Sequence, residues 1–374
     1  MNKYIFLEHT IEKNFNIIFL CGVEYKENDK KDKRKVLKDY LTKLDSKNNV
    51  IILEENFIFG KSNKKYLAYD EIFMTDLNSA ETLTALFSDF VFIIHESNST
   101  AAEIGIFATN EFLKGKICLL VPDRFSVEEE KISSFFSLAF FENRNDINII
   151  NFYPSTEVWR SSSNKSSFRT YFNDNKIGEN LSENIKKVLN RDNNFSLSVK
   201  IIKSMYKKHF KDLNTISYYY NNTTKKFDVR ISIDILKWQI ISLFNIEDFK
   251  TEIRKEKTIN AHVAFVEKYY KNILKNTLEE KENSPIDDFS VLLKGTTLSI
   301  RNVIAYLLYL LQAMKKIEII QEHEDSSIRK IRIDNDFRNL YEQYSGFITS
   351  KKDSVFGGII NGYSPRYYLP VHTN

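Results

Sequence analysis

The sequence predicts an α/β protein whose first part is a doubly wound, flavodoxin-like parallel sheet. Between Asn16 and Tyr153, short apolar runs alternate with longer amphipathic ones, as strands and crossover helices do in a parallel sheet covered on both faces. The short runs are apolar throughout, which is typical of strands buried on both sides. A helical region and a C-terminal winged-helix-like domain are predicted to follow.

The apolar runs define the predicted strands of residues 1–154, and the amphipathic runs define the helices. The strands are Ile17–Cys21, Val50–Leu53, Phe90–Ile94, Ile117–Val121 and Ile147–Phe152. The helices are Lys31–Leu44, Ser79–Phe87, Ala101–Leu113 and Glu129–Phe141. A helix follows each strand except the last, which is the alternation of one α/β domain.

Three further regions are predicted after residue 154. Residues 155–195 are rich in serine and asparagine and predict an irregular linker with one helix at Glu179–Leu189. Residues 196–285 predict a helical region, with helices at Ser198–Phe210, Asp234–Phe244 and Asn260–Leu274. In residues 286–374 an apolar helix precedes two short alternating runs, which is typical of the end of a winged helix; these elements are Ser299–Ala313, Lys316–Gln321 and Ile328–Ile333.

Composition limits the class of protein. The formal net charge of +4 neither requires nor excludes a nucleic-acid partner. Cys21 and Cys118 lie in apolar strand-like segments, which predicts buried free thiols rather than a disulfide. Glu8 and Glu12 interrupt the region where a signal peptide needs an apolar stretch, and the longest apolar run, Val303–Leu311, is too short to span a bilayer. The sequence therefore predicts a cytoplasmic protein without membrane contact.

The stretch from His95 to Gly105 is the most informative part of the sequence. It follows the strand Phe90–Ile94, so its hydroxyl-rich turn is expected at the carboxyl edge of the sheet, where open α/β folds bind ligands. The turn and the helix start offer N–H groups and hydroxyls suited to a phosphate. Glu103 is expected in the first helical turn, beside a bound phosphate or sugar. A plain helix-terminal acid, favoured by the helix dipole, is the alternative explanation of Glu103.

A cysteine, a glycine and further acidic residues are also expected at or near this edge of the sheet. Cys21-Gly22 closes the first strand, and the glycine lets a ligand approach the backbone. Glu54-Glu55 closes the second strand, where at most one of the two can face a cleft. Glu81 is either a site residue or a solvated acid of its helix. A carboxylate nucleophile with a second acid nearby is what cleavage of a C–N glycosidic bond requires.

Several nearby residues have structural explanations. His95 could be a general acid but is interpreted as a satisfied structural histidine, and Cys21 as a small buried apolar residue. Arg34 is interpreted as a solvated helix residue, which could reach a phosphate only if the preceding loop folds inward. The stretch Met205–Arg230 interleaves cations with tyrosines, which suits single-stranded nucleic acid. A solvated helix with a tyrosine-rich core edge explains the same composition and is favoured. The six histidines show no metal-ligand spacing, so no metal is expected.

Four motifs together resemble the nucleoside deoxyribosyltransferase-like proteins. They are Phe19-Leu20-Cys21-Gly22, Glu81 eight residues before Asp89, the turn from Ser97 to Gly105, and Lys116–Asp123. The likeness extends to toxin effectors of bacterial retrons, which act with a reverse transcriptase and its multicopy single-stranded DNA (msDNA). Features shared with these effectors are Ile52–Phe57, Glu96-Ser97, Ile104–Ala108, the winged-helix-like ending and Asn361–Pro370.

The resemblance implies specific roles for site residues. Glu103 corresponds to the catalytic glutamate, and Glu81 to a second acidic residue of the site. The substrate-binding positions would be Cys21, Gly22, Glu54, Glu96, Ser97, Ser99, Thr100 and Gly105. No cofactor is implied, since NAD or a deoxynucleotide would be the substrate. The turn departs from the family pattern at Asn98-Ser99, where a glycine is usual, and this departure bears on the phosphate contact.

The function that follows is a retron toxin effector for phage defence by abortive infection. It would cleave or transfer the ribosyl group of a nucleotide, restrained by the reverse transcriptase and msDNA, and could form a homo-oligomer. No cluster like Ser97–Glu103 recurs after Ser196, which predicts that this part recognises the partner. Two alternatives stay open: a non-catalytic, nucleotide-sensing DNA-binding regulator, and a housekeeping nucleotide hydrolase.

Overall fold

The structure is a computed structural model of the chain. It describes residues 4–12, 15–23, 25–26, 28–29, 32–56, 77–122, 148–152, 172–173, 176–191, 196–204, 214–321 and 328–351. The strands, in chain order, are β1 Tyr4–Phe6, β2 His9–Glu12, β3 Asn16–Cys21, β4 Asn48–Ile51, β5 Phe90–Ile94, β6 Ile117–Pro122, β7 Asn148–Phe152, β8 Phe172–Asn173, β9 Lys176–Ile177, β10 Ser196–Lys203, β11 Thr215–Asn221, β12 Lys226–Ser232, β13 Phe289–Lys294, β14 Ile317–Gln321, β15 Arg329–Ile333 and β16 Ile348–Ser350. The helices are α1 Lys33–Leu44, α2 Leu53–Asn56, α3 Leu77–Phe87, α4 Asn98–Thr109, α5 Glu179–Arg191, α6 Ile233–Leu243, α7 Glu247–Ile253, α8 Ile259–Glu282, α9 Ile300–Ala313 and α10 Asn335–Glu342.

The predicted parallel sheet is confirmed. Its five strands lie in the order β4-β3-β5-β6-β7, and every neighbouring pair is parallel. Ile17 and Phe19 of β3 point to the face covered by α3 and α4, while Ile18 and Leu20 point to the face covered by α1 and α5. Both faces are therefore buried, which explains why the strands are apolar at every position. Cys21 and Cys118 are buried free thiols, as predicted.

Two predicted elements near the sheet edge have different bounds. The second strand ends at Ile51 rather than Leu53, because Leu53 begins the short helix α2. The helix predicted at Ala101–Leu113 begins at Asn98, where the Ser97 side chain caps it, and ends at Thr109. The predicted helix Glu129–Phe141 lies outside the described residues. The helix predicted at Glu179–Leu189 is confirmed as α5 and packs on the parallel sheet.

The second half contains a mixed sheet where the sequence predicted helices. Its strand order is β13-β12-β11-β10-β2. The helix predicted at Ser198–Phe210 is wrong in its described part, because Ser196–Lys203 is a strand whose buried Val199 and Ile201 alternate with exposed residues. The helices predicted at Asp234–Phe244 and Asn260–Leu274 are confirmed as α6 and α8.

The N-terminal strands belong to this second half. β1 pairs with β16 near the C-terminus, and β2 pairs with β10 at the edge of the mixed sheet. The chain therefore begins in the second half, crosses to build the parallel sheet and then returns. Pairings of such large sequence separation leave no local signal in the sequence. The predicted domain boundaries remain predictions.

The helix before the C-terminal hairpin is buried on almost every face. The hairpin of β14 and β15 is antiparallel, as predicted. Every residue of α9 from Val303 to Leu311 is at most 4% exposed. A recognition helix must reach into a DNA groove, so α9 is not placed to read DNA. The winged-helix interpretation therefore lacks an exposed recognition helix at this position.

One hydrophobic core joins the two halves. It runs from the α3 and α4 face of the parallel sheet through α6, α8 and α9 to the mixed sheet. The ring of Phe87 stacks on Tyr306 with centroids 6.4 Å apart, and the hydroxyls of Thr84 and Tyr306 hydrogen-bond. A chain ending near Leu189 would expose this apolar face, so the halves are expected to fold together.

In the described part of the chain, no helix combines the length and apolarity needed to cross a bilayer.

Candidate active site

The candidate site lies at the carboxyl ends of β3 and β5. The chain passes from β3 to β4 on one side and then returns to β5 on the other, so the gap between β3 and β5 is a topological switch point. A cleft of about 170 Å³ opens there. Its lining residues are Gly22, Val23, Lys26, Asp29, Asp32, Lys33, Arg34, Ile94 and Glu96.

The turn between β5 and α4 is held by a capping box. The Thr100 N–H donates to Ser97 Oγ at 3.3 Å, and the Ser97 N–H donates to Thr100 Oγ1 at 3.2 Å. The Thr100 hydroxyl also donates to the Ser97 carbonyl oxygen at 2.7 Å and lies 3.0 Å from His95 Nδ1. Because the Thr100 hydroxyl donates its only proton to this carbonyl oxygen, it accepts the hydrogen bond from His95 Nδ1–H. All of these hydrogen bonds therefore lie within the turn.

This geometry corrects the interpretation of Thr100 as a substrate contact. Thr100 is completely buried, and its hydroxyl holds the turn together instead of facing a ligand. His95 is buried and satisfied, as predicted for a structural histidine. Ser97 uses its hydroxyl as the helix cap. The side chain of Ser99 lies outside the described part of the structure, and its predicted role remains a prediction.

Glu103 lies in the second turn of α4 rather than in the first. Because α4 begins at Asn98, Glu103 is its sixth residue, and the first turn holds no acid. The dipole effect falls off within the first turn, so a helix-terminal role does not explain this residue. Oε2 of Glu103 is buried and has no hydrogen-bond partner among the described residues. A buried, unsatisfied carboxyl oxygen is costly, which makes Glu103 a candidate for a functional role.

The electrostatics bring four predicted site residues together. Burial, followed by the charges of Glu81 and Glu54, raises the pKa of Glu103 to about 8, while Arg34 acts in the opposite direction. Burial and the charge of Glu54 raise the pKa of Glu81 as well. The pKa of the Cys21 thiol is raised by burial and then by Glu103 and Glu81. Cys21, Glu54, Glu81 and Glu103 therefore form one coupled group.

Arg34 also acts on this group, although the sequence favoured a solvated position for it. It was predicted to be solvated, but it is 3% exposed. Its Nη1 donates to Glu54 Oε2 at 3.0 Å and its Nη2 to Glu54 Oε1 at 2.8 Å, with a further bond to the Val23 carbonyl oxygen. A Cβ on Gly22 would lie 3.0 Å from Arg34 Cδ, so the glycine makes room for the arginine. A lone arginine among lysines, opposite a strand-end glycine, is the signal that could have revealed it.

Of the remaining residues, Glu96 lies in the cleft, whereas Gly105 does not. Glu96 lines the cleft and pairs with Lys33 at 2.6 Å. Glu55 pairs with Lys38, one turn along α1 from Arg34. Gly105 is exposed on α4, and nothing lies within 4 Å of where its Cβ would be. The structure therefore does not bring Gly105 to the cleft, in contrast to its predicted binding role.

The two glycines are expected to respond oppositely to alanine. Gly22→Ala would push on Arg34 and should lower the free energy of unfolding by about 1–3 kcal/mol. Gly105→Ala adds a methyl group in open space on a helix and should raise it by roughly 0.5–1 kcal/mol. Urea denaturation of both variants measures these changes. A stable Gly22→Ala variant would contradict the close packing of Arg34.

The comparisons with known proteins identify a family. The STM3845 retron effector protein family matches residues 30–246, which is more than half of the chain and contains Arg34, Glu54, Glu81, Glu96 and Glu103. No curated protein matches. A crystal structure titled "conserved protein from Enterococcus faecalis V583" is similar at 14% identity, with 46% of this chain and 98% of that chain covered and a TM-score of 0.25, too low to support an argument. By the family match, this chain belongs to the STM3845 retron effector proteins and is associated with retron-based defence.

Proposed function

We propose that this retron effector is an enzyme that cleaves or transfers the ribosyl group at an N-glycosidic bond of a nucleotide, with Glu103 as nucleophile. The observation that carries the proposal is the half-buried Glu103, whose carboxyl oxygen Oε2 is buried and has no partner among the described residues. This carboxyl is coupled to Glu81 and Glu54 near the switch point of the sheet. A carboxylate in such a place is suited to attack a sugar carbon.

The proposed reaction needs two carboxyl groups with different tasks. The Glu103 carboxylate forms a bond to the anomeric carbon of the sugar while the C–N bond breaks, and the base leaves with the bonding electron pair. Water or an acceptor hydroxyl then displaces Glu103 and restores the free carboxylate. Glu81, whose pKa is raised by burial, can hold a proton for the leaving base or position a sugar hydroxyl.

The substrate class is a nucleotide, with NAD and deoxynucleotides as the candidates. The nicotinamide of NAD carries a positive charge and leaves without a strong acid, so Glu81 would matter less for NAD than for a deoxynucleotide. Lys26 and Lys33 line the cleft and can approach a phosphate group. The chemistry needs no cofactor beyond the substrate itself.

The biological setting proposed for this enzyme is abortive infection. The effector would be held inactive by its reverse transcriptase and msDNA until a phage infects the cell. We assign partner recognition to the half of the chain after Ser196, where the described residues do not repeat the acid and hydroxyl cluster of the β5–α4 turn. The alternative of a DNA-binding regulator is less favoured, because the helix before the hairpin is buried.

The pH dependence of base release tests the proposed nucleophile. Because the pKa of Glu103 is about 8, only about 1% of it is ionised at pH 6. We therefore expect kcat/KM to rise about tenfold from pH 6 to pH 7, about fivefold from pH 7 to pH 8, and to level off above pH 8. Glu81→Gln should move the rise to lower pH, since the charge of Glu81 raises the pKa of Glu103. A rate that falls over this range would make Glu103 an acid and contradict the nucleophile.

A further inference from the structure

Arg34 is a buried cation to which the proposed reaction gives no task. Its side chain is 4% exposed, whereas that of its partner Glu54 is 43% exposed. Two parallel hydrogen bonds fix the guanidinium plane on the Glu54 carboxylate, at 3.0 and 2.8 Å. This fork needs the planar geometry of arginine, which a lysine does not offer.

The contacts of Arg34 and of its neighbour Lys33 join three parts of the wall around the cleft. Arg34 lies in the first turn of α1 and bonds to the carbonyl oxygen of Val23, in the turn after β3. Through Glu54 it also holds α2, which follows β4. Its neighbour Lys33 pairs with Glu96 in the turn after β5. The start of α1 therefore fastens the segments that follow three neighbouring strands.

We propose that Arg34 is a positioning residue of this site, which holds the cleft wall through Glu54 and Val23 and brings a positive charge to the acidic group that contains Glu54, Glu81 and Glu103. This inference rests on the proposed role of Glu103 as nucleophile. Arg34 itself need not touch the substrate. Its effect passes through Glu103 and through the geometry of the wall.

The charges that face Glu103 support this assignment. Glu81 of α3 and Glu54 of α2 both disfavour ionisation of Glu103, and Arg34 of α1 favours it. From β3, the Cys21 thiol is coupled to the same groups. Arg34 and Glu54 thus act on Glu103 with opposite signs while bound to each other. Removing Arg34 should therefore raise the pKa of Glu103, and removing the charge of Glu54 should lower it.

Carbon-13 NMR of the full chain labelled at glutamate carboxyls tests the proposal without any substrate. The Glu103 signal is assigned by its loss in Glu103→Gln. Arg34→Met should move its titration midpoint upward from about 8, by on the order of one pH unit, because the favourable charge is lost and Glu54 is left unpaired. Glu54→Gln should move the midpoint downward, because a repulsive charge is removed.

The pair Lys38–Glu55 provides the matched control. It joins the same two helices, α1 and α2, but neither residue is among the groups coupled to Glu103. Lys38→Met and Glu55→Gln should therefore leave the midpoint unchanged. Arg34→Lys keeps the charge and loses the fork, so it should restore the midpoint while kcat stays below that of the wild type.

Two results would overturn the proposal. The first is an Arg34→Met variant in which the titration midpoint of Glu103 does not change. An equal shift of this midpoint in Arg34→Met and in Lys38→Met also counts, because it indicates that Arg34 has a structural role alone. The second result concerns Glu54→Gln and Glu55→Gln, which are compared if Arg34→Met does not fold. Equal titration midpoints of Glu103 in these two variants would contradict the proposal. A failure of the proposed reaction would appear separately, as base release that persists in Glu103→Gln.

Discussion

Glu103→Gln is expected to lower turnover by about 10³-fold or more, because an amide cannot form the glycosyl-enzyme bond. Toxicity on expression in cells should disappear with it. Circular dichroism of the purified variant should match the wild type, since glutamine has nearly the same shape. Glu55→Gln is the matched control, because Glu55 is a nearby acid that pairs with Lys38 and is not among the groups coupled to Glu103. A Glu103→Gln variant with wild-type turnover would remove Glu103 from the reaction.

The same substitution should stabilise the protein at neutral and higher pH. The pKa of Glu103 is raised from 4.5 to about 8 in the folded state. Below pH 4.5 the Glu103 carboxyl is protonated in both the folded and the unfolded protein, so its ionisation does not lower the free energy of unfolding. Between pH 4.5 and 8 the carboxyl ionises in the unfolded protein but stays protonated in the folded protein, so the free energy of unfolding falls as the pH rises. Glutamine avoids this loss, and Glu103→Gln should gain on the order of 3 kcal/mol at pH 8 and nothing at pH 4. Urea denaturation at both pH values measures the difference.

Lys237→Ala is expected to destabilise the protein by about 3–5 kcal/mol, because it removes a fully buried cation that pairs with the buried Asp89. Lys237 is fully buried, and its Nζ lies 3.4 Å from Asp89 Oδ1 and 3.0 Å from the Phe87 carbonyl oxygen. Asp89 Oδ2 also accepts the Ile17 N–H at 2.7 Å. Lys237 belongs to α6 and Asp89 directly precedes β5, so this pair joins the two halves of the chain.

Denaturant unfolding followed by fluorescence and circular dichroism tests this prediction. Lys255→Ala is the control, since Lys255 and Glu252 form an exposed pair whose loss should cost less than about 1 kcal/mol. The double variant Asp89→Asn with Lys237→Met should recover part of the loss, because both charges of the buried pair are then removed together. Wild type and variants should unfold in one transition, as the shared core requires. Separate transitions for the two halves would contradict that core.

The parallel sheet could be predicted because each of its strands carries its own signal. Phe90–Ile94 and Ile117–Val121 are short runs that are apolar at every position, which is typical of a strand buried on both faces. The mixed sheet gave a weaker signal. Ser196–Lys203 alternates with a period of two over few residues, and its partners β2 and β11 are set by pairing that no local pattern encodes.

The candidate site could be predicted where chain order and sheet order agree. Glu103 follows the central strand β5 directly, so the strand end, the turn and the helix located it. Thr100 was misinterpreted because hydroxyls that cap a helix and hydroxyls that bind a phosphate occur in the same kind of turn. The burial of Arg34 was not predicted because its neighbours in sequence are lysines, and because this burial depends on Gly22 and Glu54 from separate segments.

Direct detection of a ribosyl group on Glu103 tests the central claim most sharply. The full chain is incubated with NAD and with deoxynucleoside monophosphates, including analogues whose 2′-fluoro group slows breakdown of a glycosyl-enzyme. Released base is followed by chromatography, and the peptides are examined by mass spectrometry. We predict free base from at least one nucleotide and a sugar adduct on the peptide that contains Glu103, both absent in Glu103→Gln. Base release that continues in Glu103→Gln, or no release from any of these nucleotides, would contradict the account.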